Sequence, residues 1–338
     1  MGVNILLIAL LAAAVSGEPE TKTHLAPKKK VDAAAVEQDP VTKEYEKLIE
    51  KDEAALEQIE KIVAEFEAFS SKGAPGPRGV FIAKIDAIID GIKKDYESFL
   101  ERNPKHVDGF LAYGSFLNET GDEEGAVVQW EKARELDPKN PSAWNNLANI
   151  FGHVGPIKKA FQYYEKAIEL DPNEPVYIQN LATTTYLFRK DAVEMYRIDE
   201  EAVFNKALDL YRQAMKLDPT NLVMATDYAQ SYYGIKPLRT NDAIAAWNHC
   251  LTLAKNDVEK QGIYLHLARV ELNSGKFDEA QKHLDMVKDP SMEELKNRLQ
   301  RNLEKKRNPE AAQEKAGEEK TSREEKKAEN KVPAVSSP

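Results

Sequence analysis

Two stretches of the chain superimpose without a gap at an offset of 34 residues. Phe110, Tyr113, Gly114, Leu117, Ala126, Trp130, Ala133 and Pro138 align with Trp144, Leu147, Ala148, Phe151, Ala160, Tyr164, Ala167 and Pro172. Within each stretch the positions fall into two groups spaced by three, four or seven residues, the signature of two amphipathic helices, A and then B. Unrelated hairpins would not hold one register across both stretches, so this is an internal repeat.

The spacing has a physical cause. Small residues, Gly114 and Ala148 in helix A and Ala126, Ala133, Ala160 and Ala167 in helix B, let the two backbones approach. The large residues fill the spaces beside them. Pro138 and Pro172 follow helix B, where a missing amide hydrogen ends the helix and turns the chain into the next unit. The pattern resembles the tetratricopeptide repeat: a large residue, Leu, a small residue and an aromatic on one helix, then Ala, aromatic, Ala and Pro on the next. That resemblance implies an all-α fold, a right-handed superhelical solenoid of stacked hairpins whose A helices line a concave groove.

Further units follow. Ile178, Leu181 and Ala182, then Ala207, Tyr211, Ala214 and Pro219, form a third. About 13 extra residues, near Phe188–Glu200, separate its halves relative to the repeat period. Asp191 and Glu194 read as a capping box, predicting that helix B starts early with an amino-terminal extension. A fourth unit has Tyr228, Ala229, Tyr232, Ala243, Trp247 and Cys250, with a longer turn containing Gly234 and Pro237. A fifth has Tyr264, Leu267, Ala268, Gly275, Ala280 and Leu284. The five repeats span 107–290, and a charged helix over 291–307 is expected to cover the last apolar face. Upstream, 41–106 reads as a long helical hairpin with a degenerate repeat. Its apolar residues run from Tyr45 to Phe69 and resume at Ile92, Tyr96 and Phe99, with a break at Gly73-Ala74-Pro75-Gly76-Pro77.

The ends differ in composition. Ile5–Val15 is apolar and precedes Ser16-Gly17-Glu18, which resembles a signal peptide over 1–17. The run is too short for an ordinary membrane span. Residues 18–40 read as a disordered polar linker. Residues 308–338 read as a disordered charged tail that cannot offset its ordering entropy by burial. The expectation is an exported protein of the periplasm or another secretory compartment, without stable membrane insertion after cleavage.

Charge and motifs narrow the function. A formal charge of -10 argues against nucleic acid as the main partner. Cys250, the single cysteine, takes the place that Ala133, Ala167 and Ala214 fill elsewhere and reads as a buried thiol. The sequence has no His-Glu-x-x-His, no Gly-x-Ser-x-Gly, no Cys-x-x-Cys and no glycine-rich phosphate loop. Its six histidines have no metal-ligand spacing. No catalytic residue, cofactor or metal site is therefore expected.

One regular feature goes beyond scaffold. In the repeat that this sequence resembles, the fifth, sixth and ninth positions of helix A face the groove. They are Asn145, Asn146 and Asn149 in the second unit, and Gln179, Asn180 and Thr183 in the third. In the fourth they are Thr226, Asp227 and Gln230. Amide and carboxylate side chains at these places can donate to and accept from an extended peptide backbone. The series resembles the asparagine ladder of the O-linked N-acetylglucosamine transferase repeats, over the middle repeats only. The first unit has Leu111, Ala112 and Ser115 there, and the fifth has Leu265, His266 and Arg269. The expected function is a non-enzymatic protein–protein scaffold or adaptor that binds extended or disordered segments of other proteins in its groove. The alternative is a structural subunit of a cell-envelope or secretory complex, docked through its convex face and amino-terminal hairpin. Tyr186 and Tyr233 read either as stacking groups at the groove edge or as inter-repeat packing.

Overall fold

The computed structural model describes residues 39–70 and 78–309. These form fourteen α-helices with short 3-10 turns and, among the described residues, no strand. The expected leader, most of the linker, the break at 73–77 and nearly all of the tail lie outside them. The chain divides into two compact units, one ending at Leu217 and one beginning at Asp218.

The first unit opens with a long hairpin, α1 (Pro40–Ser70) and α2 (Arg78–Arg102). Its core holds Tyr45, Leu48, Ile49, Ile85, Ile92, Tyr96 and Phe99. Asp52 is wholly buried in this core and accepts a 2.6 Å hydrogen bond from the Tyr96 hydroxyl. Tyr96 in turn stacks on Tyr113, ring centres 4.9 Å apart, and so joins the hairpin to the first repeat.

The repeats of this unit are α3 (Val107–Glu119) with α4 (Glu123–Leu136), α5 (Pro141–His153) with α6 (Ile157–Leu170), and α7 (Pro175–Leu187) with α9 (Glu200–Leu217). Each A helix packs on its B partner, and α3 also packs on α5 and α5 on α7. The turns between repeats share one chemistry. Asp137 ends α4 and its carboxylate accepts from the Lys139 amide, while Asp171 does the same for Asn173 after α6. Asn140 and Glu174 then cap the following helices through the amides of Ser142 and Val176, each with a proline at the first helical position. That proline lacks only an amide hydrogen which would be unpaired anyway.

The insertion in the third repeat differs from the sequence expectation. It is a separate helix, α8 (Arg189–Tyr196), rather than an extension of helix B. Arg197 takes a left-handed conformation, φ 55°, which breaks the chain between α8 and α9. Asp199 then receives the Ala202 amide at 2.8 Å, so α9 has its own cap. Tyr196 anchors α8 by packing edge-on to Phe161 and donating to Glu165.

The second unit holds α10 (Leu222–Ser231) with α11 (Thr240–Leu253), α12 (Asp257–Asn273) with α13 (Phe277–Met286), and α14 (Glu293–Arg307). The last helix lays Leu299 and Leu303 onto Leu265, Leu272, Ala280 and Leu284. Asn256 and Glu259 form a reciprocal capping box at the start of α12: Asn256 accepts from the Glu259 amide, and Glu259 bonds back to Asn256 and the Lys255 amide.

Candidate functional site

In the first unit the amide series lies on α5 and α7. Asn145 is the link between the helices: its Oδ1 accepts from Asn180 Nδ2 at 2.8 Å, and its own Nδ2 donates to Asn146 Oδ1 at 3.1 Å. A second link joins the same helices nearer their starts, where the Ser142 and Tyr177 hydroxyls lie 3.0 Å apart. Burial pushes the Tyr177 hydroxyl up to about 12, so it stays protonated.

The ninth position does something the sequence reading missed. Asn149 Oδ1 accepts from the Tyr164 hydroxyl at 2.6 Å, and Thr183 Oγ1 lies 2.8 Å from the Tyr211 hydroxyl. Both pairs are the same contact in successive repeats: a polar residue on helix A meets the phenol of the B-helix aromatic. The recurring tyrosines carried that signal, because a buried phenol needs a hydrogen-bond partner. The first repeat has Trp130 in that place, and its indole nitrogen donates instead to the Leu111 carbonyl at 3.1 Å.

All six amide and hydroxyl residues of the series in this unit are buried. Asn145, Asn180 and Thr183 have no exposed surface, and Asn149, the most exposed, shows 4%. None of the five amides is without a partner. Asn145 pairs with Asn146 and Asn180, and Asn149 with Tyr164 of the B helix.

In the second unit Asp227 is buried and Thr226 and Gln230 are half-buried on α10. Thr226 turns its hydroxyl back to the Val223 carbonyl. Beside them lies an aromatic cluster. His266 stacks on Trp247 at 4.1 Å with planes 5° apart, and its Nδ1 is 3.0 Å from the Tyr233 hydroxyl. The Arg269 guanidinium sits 4.6 Å over the Tyr233 ring. Tyr233 is thus a packing residue of this unit, and Tyr186 packs against Phe204 in the first. Burial, and then Arg269, lowers the His266 imidazole to about 4. Cys250 is buried, and its thiol is pushed up to about 12 by desolvation, which leaves it a protonated core residue. Among the described residues no group of His, Cys, Asp or Glu could hold a metal ion. No helix among them is long and apolar enough to cross a membrane.

Paired A and B helices with an aromatic buried at one fixed place on helix B define a helical-repeat protein. Residues 141–174 match the tetratricopeptide repeat model, and residues 114–155 match a second model described as TPR repeat. Residues 114–174 are thus tetratricopeptide repeats, a fold whose members are in general protein–protein interaction scaffolds. Several solved structures are similar. A thermophilic TPR protein of Thermus thermophilus is 20% identical, with 58% of this chain and 98% of that one covered and a TM-score of 0.44. YrrB, described as a TPR protein with an unusual peptide-binding site, is 15% identical over 61% and 97%, with a TM-score of 0.45. The pilF protein of Pseudomonas aeruginosa is 14% identical over 70% and 90%, with a TM-score of 0.46. No curated protein matches the sequence.

Proposed function

We propose that the chain is a non-enzymatic adaptor, exported from the cytoplasm, whose A-helix face binds an extended protein segment through its main chain. The observation that supports this is the row of primary amides on one face: Asn145 and Asn146 on α5, Gln179 and Asn180 on α7. Asparagine and glutamine each offer two donors and an acceptor, the complement of an extended backbone. Apolar residues in those places would favour an amphipathic helix instead. In the second unit Asp227 takes the same repeat position as Asn146 and Asn180. A carboxyl group in that place suits a contact of the second unit's own with a backbone amide or a lysine. The test is cross-linking in the native compartment followed by titration of the captured partner against Asn146→Ala and Asn180→Ala chains. A loss of affinity in these supports the reading, and equal affinity in both rejects it.

A second reading, docking through the amino-terminal hairpin, draws on a different observation. An apolar cleft lined by Ile62, Val63, Phe66, Phe81, Ile82 and Ile85 lies between α1 and α2, and Phe69 and Val80 nearby are exposed by 42% and 53%. Loss of complex assembly on Phe69→Ser with Val80→Ser, while the asparagine variants assemble normally, would favour it.

A further inference from the structure

The outer face of the last helix carries cations that the fold does not use. Helix α14 lays Leu299 and Leu303 into the core of the second unit. Arg301 lies about 160° around the helix from each of them. Arg298 and Lys305 flank it one turn away on the same outward side, and all three are exposed. The remaining cations of this helix are engaged: Lys296 donates to the Val287 carbonyl, Lys306 to Asn273 Oδ1 and Arg307 to Asp278. Among the described residues Arg298, Arg301 and Lys305 have no ion-pair partner, not even Glu294 or Glu304 of their own helix. The helix macrodipole accounts for a cation in the last turn, as Lys305 is, but not for two arginines in the middle. Like charges three and four residues apart repel along a helix, a repulsion that an outside row of anions would relieve.

We propose that this cationic row docks on the first helix of a second copy of the chain. Charge complementarity selects that occupant. On α1, Glu46, Glu50, Glu53, Glu57, Glu60 and Glu67 recur at alternating steps of four and three residues, with Ala64 completing the series. They form one row along the helix, while Leu48, Asp52, Ala55 and Ile62 hold the other side in the hairpin. Glu50, Glu53, Glu57 and Glu60 are exposed. Lysines do not break this middle stretch: Lys51 turns to Asp95 of α2, Lys61 pairs with Glu57, and Lys43 and Lys47 stand nearer the start of the helix. Arg298, Arg301 and Lys305 step by three and then four. So do Glu50, Glu53 and Glu57 read forwards, and Glu60, Glu57 and Glu53 read backwards. Two helices side by side in either direction thus set each cation opposite a carboxylate, about 10 Å of one row along about 15 Å of the other. Arginine can meet a carboxylate through two parallel hydrogen bonds, which makes the pairs directional. Each exposed pair contributes little, so the contact is weak, reversible and screened by salt. Each copy carries both rows, so the two partners contribute different surfaces. The groove plays no part in it.

The test is sedimentation velocity on the full chain. At low salt it should associate with a Kd of roughly 0.1–1 mM, and ~0.5 M salt should weaken this at least ~10-fold. Two variants separate the surfaces. Arg298→Gln with Arg301→Gln and Lys305→Gln removes the basic row and keeps the acidic one. Glu50→Gln with Glu53→Gln, Glu57→Gln and Glu60→Gln removes the middle of the acidic row and keeps the basic one. All these side chains are exposed, so both variants keep the fold, which circular dichroism checks. Each variant alone should stay monomeric at low salt. An equimolar mixture should recover an association that stops at the dimer, because only one pair of complementary rows remains. Association by either variant alone, no recovery in the mixture, or a wild-type chain that stays monomeric up to ~1 mM at low salt would each overturn the assignment. So would binding of a monomeric wild type to phosphatidylglycerol vesicles through the same cations, which would give the row to a lipid surface.

Discussion

Gly114 on α3 lies directly under the indole of Trp130 on α4. A Cβ built on Gly114 would come within 2.5 Å of Trp130 Cδ1, so no side chain fits there. Trp130 has no exposed surface, and its nitrogen is satisfied by the Leu111 carbonyl. The small residue of helix A and the aromatic of helix B are thus one packing unit.

Trp130→Ala should destabilise the first repeats by about 3–5 kcal/mol, because it removes a large buried side chain and leaves a cavity. Gly114→Ala should cost about 1–3 kcal/mol by overpacking the same place. Chemical denaturation measures both. A loss below about 1 kcal/mol for Trp130→Ala would mean that the repeat register is misplaced.

The Tyr164 and Tyr211 hydroxyls serve Asn149 and Thr183. Tyr164→Phe and Tyr211→Phe should each cost about 0.5–1.5 kcal/mol, the net contribution of one hydrogen bond. The same substitution at Tyr163, whose ring packs on Trp144 and Phe151 instead, should be closer to neutral. Equal effects at all three tyrosines would contradict the role given to the ninth repeat position.

Much of this was legible because repetition over-determines it. Pro138, Pro172, Trp130 and Tyr164 hold one register, and the stacked hairpins follow from how such residues pack. The insertion was harder. Asp191 and Glu194 have the spacing of a capping box, yet the break comes at Arg197, a residue with no intrinsic preference for positive φ. Tertiary packing of Tyr196 against Phe161 and Glu165 decides it, and a local pattern does not carry such contacts. The candidate site was half legible. The spacing placed Asn145, Asn146 and Asn180 on one face. It did not reveal that Asn149 and Thr183 bond to B-helix phenols, because that requires both helices in three dimensions.

His266 gives the second unit a pH dependence. Its folded pKa, about 4, lies below the ordinary value of 6.5, with burial as the main cause and Arg269 second. Between these values the unfolded chain binds a proton that the folded chain does not. Stability should therefore fall as pH drops from about 6.5 to 4, at up to ~1.4 kcal/mol per pH unit, and this contribution should level off below that. Urea denaturation of wild type and His266→Phe at several pH values checks it. An unchanged pH slope in the variant would remove His266 as the source.

Export predicts a processed amino terminus. Residues 1–17 have the composition of a leader, so protein from the native cell should begin near Gly17 or Glu18. Amino-terminal sequencing decides this. An intact Met1 on membrane-bound protein would replace export with an anchor.

The central claim is that the amides of α5 and α7 hold an extended segment. Its most direct measurement is a titration of the partner captured by cross-linking against wild type, Asn146→Ala and Asn180→Ala, with helicity checked in each. The account predicts a loss of about two- to tenfold in each variant, the value of one main-chain hydrogen bond. Unchanged affinity in both folded variants would contradict it and leave the groove without a role.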